Sequence, residues 1–220
     1  ALGLTPDGDE WQWAVNHLAP FLLTSLLFPA LARSTAGRVG ITASQVERGG
    51  SIDFDDLTLA HGYTPASAYG RSKLANVMFC YELARRIDGS GVTANCLHPG
   101  VVRTGLLDTL QRVRQKPSRS LAAAAAGQAR IAIGKALRKA GLRPPPVDWA
   151  QNPVQGAKTT IFVATSPGLE GVSGQYFSDG QVAESSAGSR DLAAAKQLWD
   201  VSAATVGISA DWPLAFLQHR

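Results

Sequence analysis

A phenol and an amine stand four residues apart in the stretch Ala68-Tyr69-Gly70-Arg71-Ser72-Lys73. Residues at i and i+4 share one face of a helix. The run from Leu74 to Arg86 keeps apolar residues at helical spacing, ends in basic residues and is followed by Gly89, so Tyr69 and Lys73 should project from one helix in the same direction. A free phenol has a pKa of about 10 and moves protons poorly at neutral pH, whereas a neighbouring ammonium favours the phenolate and draws that value down. The pair would then make a general acid/base. Tyr-x-x-x-Lys is also an ordinary, partly exposed pair on many helix faces, so the surroundings have to choose between the two readings.

The elements around the pair favour chemistry. Residues 37–44 read as a short buried strand ending in Ser44, and residues 92–97 read as another that runs into His98-Pro99-Gly100. In open α/β sheets, ligands sit beyond the carboxyl ends of the strands. Both strands thus deliver polar and turn residues to the rim that Tyr69 faces, although Pro99-Gly100 alone is a generic turn signal.

Residues 15–18 (Val-Asn-His-Leu) and 21–24, Gly37-Arg38-Val39 leading to Ser44, residues 52–57, the helix from Tyr69 to Arg86, residues 92–104 and residues 168–177 follow one another in an order that resembles the short-chain dehydrogenase/reductase family, and within it the retinol dehydrogenase-like branch. The resemblance implies an α/β fold with a doubly wound, Rossmann-like parallel sheet. It also implies hydride transfer between NAD or NADP, with NADP favoured, and a small-molecule carbonyl/alcohol substrate. Tyr69 would exchange the proton, Lys73 would lower the phenol pKa and hold the ribose, and Ser44 would hydrogen-bond the substrate oxygen. Asn16 would shape its helix and anchor a water chain to Lys73. On the cofactor side the resemblance implicates Thr42, Tyr69 and Lys73, the backbone of Pro99, Gly100 and Val102 framing the nicotinamide, and Thr104 bonding its carboxamide. His98 belongs to the branch's motif and is expected to be structural. Ala43 stands where the family usually has a serine, and the long separation between Ser44 and Tyr69 is a mark of this branch. Residues 105–146 would cover the substrate. In many relatives two long helices, here about 11–32 and 68–87, pair across a dyad, so a homodimer is expected.

The family begins with a strand, a glycine-rich turn and a helix that hold the cofactor pyrophosphate, and no Gly-x-x-x-Gly-x-Gly or Gly-x-Gly-x-x-Gly turn occurs here. The chain therefore reads as the carboxyl-terminal portion of such a domain, residues 1–220 forming one partial domain that lacks the first strands. A second reading follows: a truncated, non-catalytic remnant that serves as a binding or interaction module. A sugar-nucleotide epimerase also uses Tyr-x-x-x-Lys, but residues around Asn16 and 169–177 resemble it poorly.

Composition narrows the remainder. With 220 residues, 45% of them hydrophobic, the chain is long enough for one sizeable core. The net charge of +4 is spread along the sequence and gives no reason to expect nucleic-acid binding. The basic cluster of Arg112, Arg114, Lys116 and Arg119 reads as a solvated loop. Cys80 and Cys96 look like core residues, which suits a reducing, cytoplasmic setting, and four scattered histidines give no metal-site spacing. The apolar stretch 18–32 is shorter than the roughly 18–25 residues that span a bilayer, so no membrane span is expected. Elsewhere, acids at 7–10 precede a helix whose stripe of Trp11, Val15, Leu18, Leu22 and Leu26 should pack on the sheet. A polar loop covers 45–65 with a short strand or turn at 52–57, a helix starts at Pro153, a final strand covers 174–177, and an amphipathic helix covers 191–206.

Overall fold

The computed structural model describes residues 2–103 and 150–218. Thr104, the basic cluster at 112–119 and the segment 105–146 lie outside the described residues. The chain divides into two compact units, Ala1–Gly100 with Ala157–Arg220, and Val101–Gly156.

In the first unit, helix α1 (Trp11–Arg33) begins where the Glu10 carboxylate accepts the amides of Gln12 and Trp13, satisfying donors that the first helical turn leaves free. Its second turn, Ala14–Leu18, is a π turn that contains Asn16. Strand β1 (Arg38–Thr42) and a 3-10 turn (Gln45–Gly49) follow. Helix α2 (Pro65–Arg86) opens on a reciprocal cap between Thr64 and Ser67 with Pro65 at its first position. Next come β2 (Thr93–His98), α3 (Pro153–Thr165, in this unit from Ala157), β3 (Tyr176–Ser178), β4 (Gln181–Ala183), α4 (Leu192–Thr205, capped by Asp191) and a last turn of helix, α5 (Leu214–Leu217).

The strands lie in the order β1-β2-β3-β4. β1, β2 and β3 run parallel as expected, in a register that sets Ile41 beside Cys96 and Cys96 beside Tyr176. β4 was not foreseen: it turns back antiparallel on β3 through Asp179-Gly180, both at positive φ. Helices cover both faces of the sheet. On one, Ile41, Ala43, Ala94 and Cys96 meet Phe21, Phe28 and Ala32 of α1, Val77, Phe79 and Leu83 of α2, and Trp199 and Ala203 of α4. On the other, Leu97 and Phe177 meet Val163 and Leu169. Each of these aromatic side chains, fully buried, contributes about 2–3 kcal/mol by removal from water. Residues 52–57 form turns rather than a strand, and their apolar members Ile52, Phe54 and Leu57 pack on the cluster of Trp13, Leu74 and Met78.

The stripe expected on α1 is largely the wrong face. Trp11, Val15 and Leu26 are 54%, 55% and 67% exposed, whereas the helix buries Trp13, His17, Leu18, Phe21, Phe28 and Ala32. The helix is apolar on nearly every side, so periodicity has little to discriminate, and the π turn shifts the register after Ala14. Its length also overturns the argument against a span. At 23 residues and a mean hydropathy of 1.5, α1 is long and apolar enough to cross a bilayer, as are many core helices of soluble proteins, and Phe21, Phe28 and Ala32 of this one are buried against the sheet.

A buried ion pair joins the start of α1 to α2. Arg71 lies 3.7 Å from Glu10 and stacks 4.7 Å from the centre of the Trp13 ring, with all three residues at or below 2% exposure. Removing one member would strand a charge in the interior, at a cost of about 3–5 kcal/mol.

Candidate active site

Tyr69 and Lys73 stand in the amino-terminal part of α2, facing the end of β1, because the Thr64 cap and Pro65 start the helix one turn before the phenol. The loop after β1 is pressed onto that turn: a Cβ on Gly50 would come 2.5 Å from the carbonyl oxygen of Gly70. This close approach carries Ser44 to the phenol, which its side chain hydrogen-bonds. Ser44 Oγ is also held by the Val46 amide at 3.5 Å, at the start of the 3-10 turn. Lys73 Nζ lies 5.6 Å from the centre of the Tyr69 ring and donates to the Thr42 carbonyl at 3.2 Å.

The electrostatics differ from the sequence expectation. Burial pushes the Tyr69 phenol above its ordinary value, and the opposing influence is the Ser44 hydrogen bond rather than Lys73. The reason is geometric. The ammonium sits over the ring face and is directed at Thr42, away from the phenolic oxygen, while burial draws its own pKa down.

Asn16 reaches α2 between the two reactive side chains. Its Nδ2 donates to Ser72 Oγ at 3.1 Å, and Ser72 Oγ donates to the Tyr69 carbonyl at 2.9 Å. Beneath them runs a polar line that the sequence reading missed. Asn76 Nδ2 donates to the same Thr42 carbonyl at 3.2 Å. Asn76 Oδ1 and His17 Nδ1 face each other without reaching ordinary hydrogen-bond geometry, and His17 Nε2 lies 2.8 Å from Ser202 Oγ. A proton on Nδ1, directed at Asn76, leaves Nε2 to accept from Ser202. Burial lowers the His17 pKa to about 3, so the ring is neutral. The signal was present in the sequence: Ser72 and Asn76 follow Tyr69 at i+3 and i+7, and His17 adjoins Asn16.

His98 is structural, as expected. Its Nδ1 accepts the Gln45 amide at 3.3 Å, which pins the segment after Ser44 to the end of β2, and burial lowers its pKa against the opposing pull of Asp179. Pro99 and Gly100 follow directly, both half-buried, with Gly100 at φ +83°, where a side chain would be strained. The first unit thus brings Asn16, Thr42, Ser44, Tyr69 and Lys73 together around the end of β1, with Pro99 and Gly100 following the neighbouring end of β2. Val102 belongs to the second unit, where Arg103 and Val101 exchange backbone hydrogen bonds with Gln151 and Val102 packs on Gly156. Among the described residues no group of three His, Cys, Asp or Glu side chains could hold a metal ion. A cavity of about 780 Å³ lies elsewhere, between the carboxyl-terminal half of α2 and β3–β4.

Residues 7–115 match the family model described as short chain dehydrogenase. Human retinol dehydrogenase 14 is 40% identical over 207 residues, 93% of this chain and 54% of that protein. Mouse retinol dehydrogenase 11 is 35% identical over 208 residues, 94% of this chain and 58% of that protein. The chain thus spans little more than half the length of these curated relatives. Among solved structures, an uncharacterised protein from Mycobacterium paratuberculosis superposes with a TM-score of 0.64 at 26% identity, over 95% of this chain and 63% of that one.

Proposed function

This chain belongs to the short-chain dehydrogenase/reductase family, on its retinol dehydrogenase-like branch, and from that premise we propose that it serves an NAD(P)-dependent oxidoreductase that interconverts a small-molecule carbonyl and its alcohol. The observation that carries the reading is the hydrogen bond between Ser44 and the Tyr69 phenol, with the Lys73 ammonium over the same ring.

The residues present fit one end of a dinucleotide. Lys73, a donor aimed at a backbone carbonyl, and the turn at Pro99-Gly100 suit the ribose and nicotinamide, while no glycine-rich strand-to-helix turn meets the pyrophosphate. When bound, the nicotinamide supplies or accepts the hydride. The proton is the work of this chain. Ser44 donates to the substrate oxygen and stabilises charge that develops there, and Tyr69 gives its proton to that oxygen in reduction or takes one in oxidation. Lys73 holds the ribose side and Asn16 steadies the helix through Ser72. The two free, buried thiols of Cys80 and Cys96 suit a reducing compartment.

Titration of the purified protein with NADPH and with NADH, followed by nicotinamide fluorescence, tests the proposal. Micromolar binding that Lys73→Ala weakens is expected. Absence of binding to either cofactor in an assembly that contains a complete pyrophosphate site would reject it.

A further inference from the structure

The sheet ends at β1, and one side of that strand is unpaired. The Ala43 amide donates to Leu97 at 2.8 Å and the Thr93 amide to Gly37 at 3.0 Å. Backbone groups of successive residues in a strand point to opposite neighbours, so Val39 and Ile41 also face β2. Arg38, Gly40 and Thr42 turn their amides and carbonyls outward, where no strand lies among the described residues. Gly40 and Thr42 are exposed, and the one charge on the strand, Arg38, is turned to the Ser166 carbonyl at 2.8 Å. Proteins keep long-lived edges short, charged or covered, and this edge has little of that protection. The helices over β1 are bare as well: α1 exposes Leu23 (57%), Leu26 (67%) and Leu27 (49%), and α3, whose Val163 approaches Gly40, exposes Ile161 (57%). The outward carbonyl of Thr42 is the one that holds Lys73 Nζ.

We propose that the outward side of β1 is an interaction surface for a parallel strand carried on a strand–helix half of the same family of fold, and that seating this strand draws the Thr42 carbonyl away from Lys73. The identity of the partner rests on the family reading above. Parallel sheets occur buried on both faces and continue through strand–helix units, which would cover the edge and the helix surfaces flanking it. Retinol dehydrogenase 14 matches 93% of this chain with only 54% of its own length, so proteins of this kind carry nearly as much chain again beside the matched part. A second copy placed by a dyad would pair β1 antiparallel instead. An incoming amide competes with the ammonium for Thr42, so filling the edge frees Lys73 at the rim beside Tyr69. Assembly of the fold and readiness of the site are thereby coupled.

The test mixes the 220-residue chain with the part of human retinol dehydrogenase 14 outside its match, made as a separate chain. A one-to-one complex is expected by light scattering, with amide exchange at Arg38, Gly40 and Thr42 slowed about tenfold or more and labelling of Lys73 by an amine-reactive reagent increased several-fold. Gly40→Pro removes an outward amide that makes no bond to β2. It should keep the circular dichroism and melting of the parent chain and lose the complex. No complex, a complex in which those three amides exchange as before, or a homodimer that already protects them would overturn the proposal. A complex with a protected edge that binds neither NADPH nor NADH would instead sink the oxidoreductase reading and leave the interface standing.

Discussion

Lys73 Nζ donates to the Thr42 carbonyl at 3.2 Å while lying 5.6 Å from the centre of the Tyr69 ring. One side chain therefore ties the catalytic helix α2 to the last residue of β1. Asn76, on the next turn, makes the same tie to the same oxygen at 3.2 Å. A carbonyl has two lone pairs, and both are used here by α2. The position of Lys73 is thus set by strand geometry, and the phenol's acidity is left to burial and Ser44.

Tyr69→Phe removes the proton carrier and leaves Lys73 and the surrounding backbone in place. In an assembly that turns over a carbonyl substrate, kcat should fall by about a hundredfold or more, with nicotinamide affinity nearly unchanged. Lys73→Ala should impair both quantities. A Tyr69→Phe enzyme that keeps more than about a tenth of the wild-type rate would remove Tyr69 from the acid/base role.

Gly50→Ala places a methyl 2.5 Å from the Gly70 carbonyl oxygen, adjacent to Tyr69, and backbone cannot yield cheaply. The variant should lose about 1–3 kcal/mol of stability, the ordinary cost of overpacking. Gly49→Ala, where a Cβ meets nothing within 4 Å, should be nearly neutral. Denaturant midpoints of the two variants measure this, and equal values would show that the loop does not press on α2 as described.

Much of the fold was legible because three signals are local. Thr64-Pro65 announces the start of α2, Pro153 that of α3, and the two strands read as apolar runs ending in polar turns. Other features depend on contacts between distant residues, which spacing does not encode. β4 is three residues long with exposed Gln181 and Val182, so no apolar pattern marks it. The face buried by α1 depended on a π turn inside an almost uniformly apolar helix. At the site, Tyr69, Lys73 and Ser44 were named from residue type, spacing and resemblance, whereas the line Thr42–Asn76–His17–Ser202 links four elements and became visible only in the fold.

His17 makes stability depend on mildly acidic pH. Its folded pKa of about 3 lies below the ordinary 6.5, so between those values the unfolded chain binds the proton that the folded chain refuses. Stability from this group is complete above the unfolded value and is lost as pH falls through the window, at about 1.4 kcal/mol per pH unit. His98, also lowered, adds a contribution of the same sign. Urea midpoints should fall between pH 7 and pH 5, and His17→Asn should flatten most of that slope. An unchanged slope in a folded His17→Asn protein would count against a buried neutral ring.

The Tyr69 phenol should ionise above its ordinary value of 10 in the cofactor-free protein, because burial raises it by more than the Ser44 hydrogen bond lowers it. The difference in absorbance near 295 nm between wild type and Tyr69→Phe isolates this group from Tyr81 and Tyr176, which burial pushes to about 12. Ser44→Ala removes a donor that favours the phenolate, so it should move the Tyr69 titration further up. A downward move, or ionisation of Tyr69 below 10, would contradict the arrangement. A phenol that stays protonated at neutral pH is ready to give a proton but must lose one before it can accept one. Carbonyl reduction should therefore hold its rate across neutral pH and decline on the alkaline side, while alcohol oxidation should rise with pH over the same range. Ser44→Ala should shift the rise in oxidation to higher pH in step with the titration, which a merely structural serine would not do.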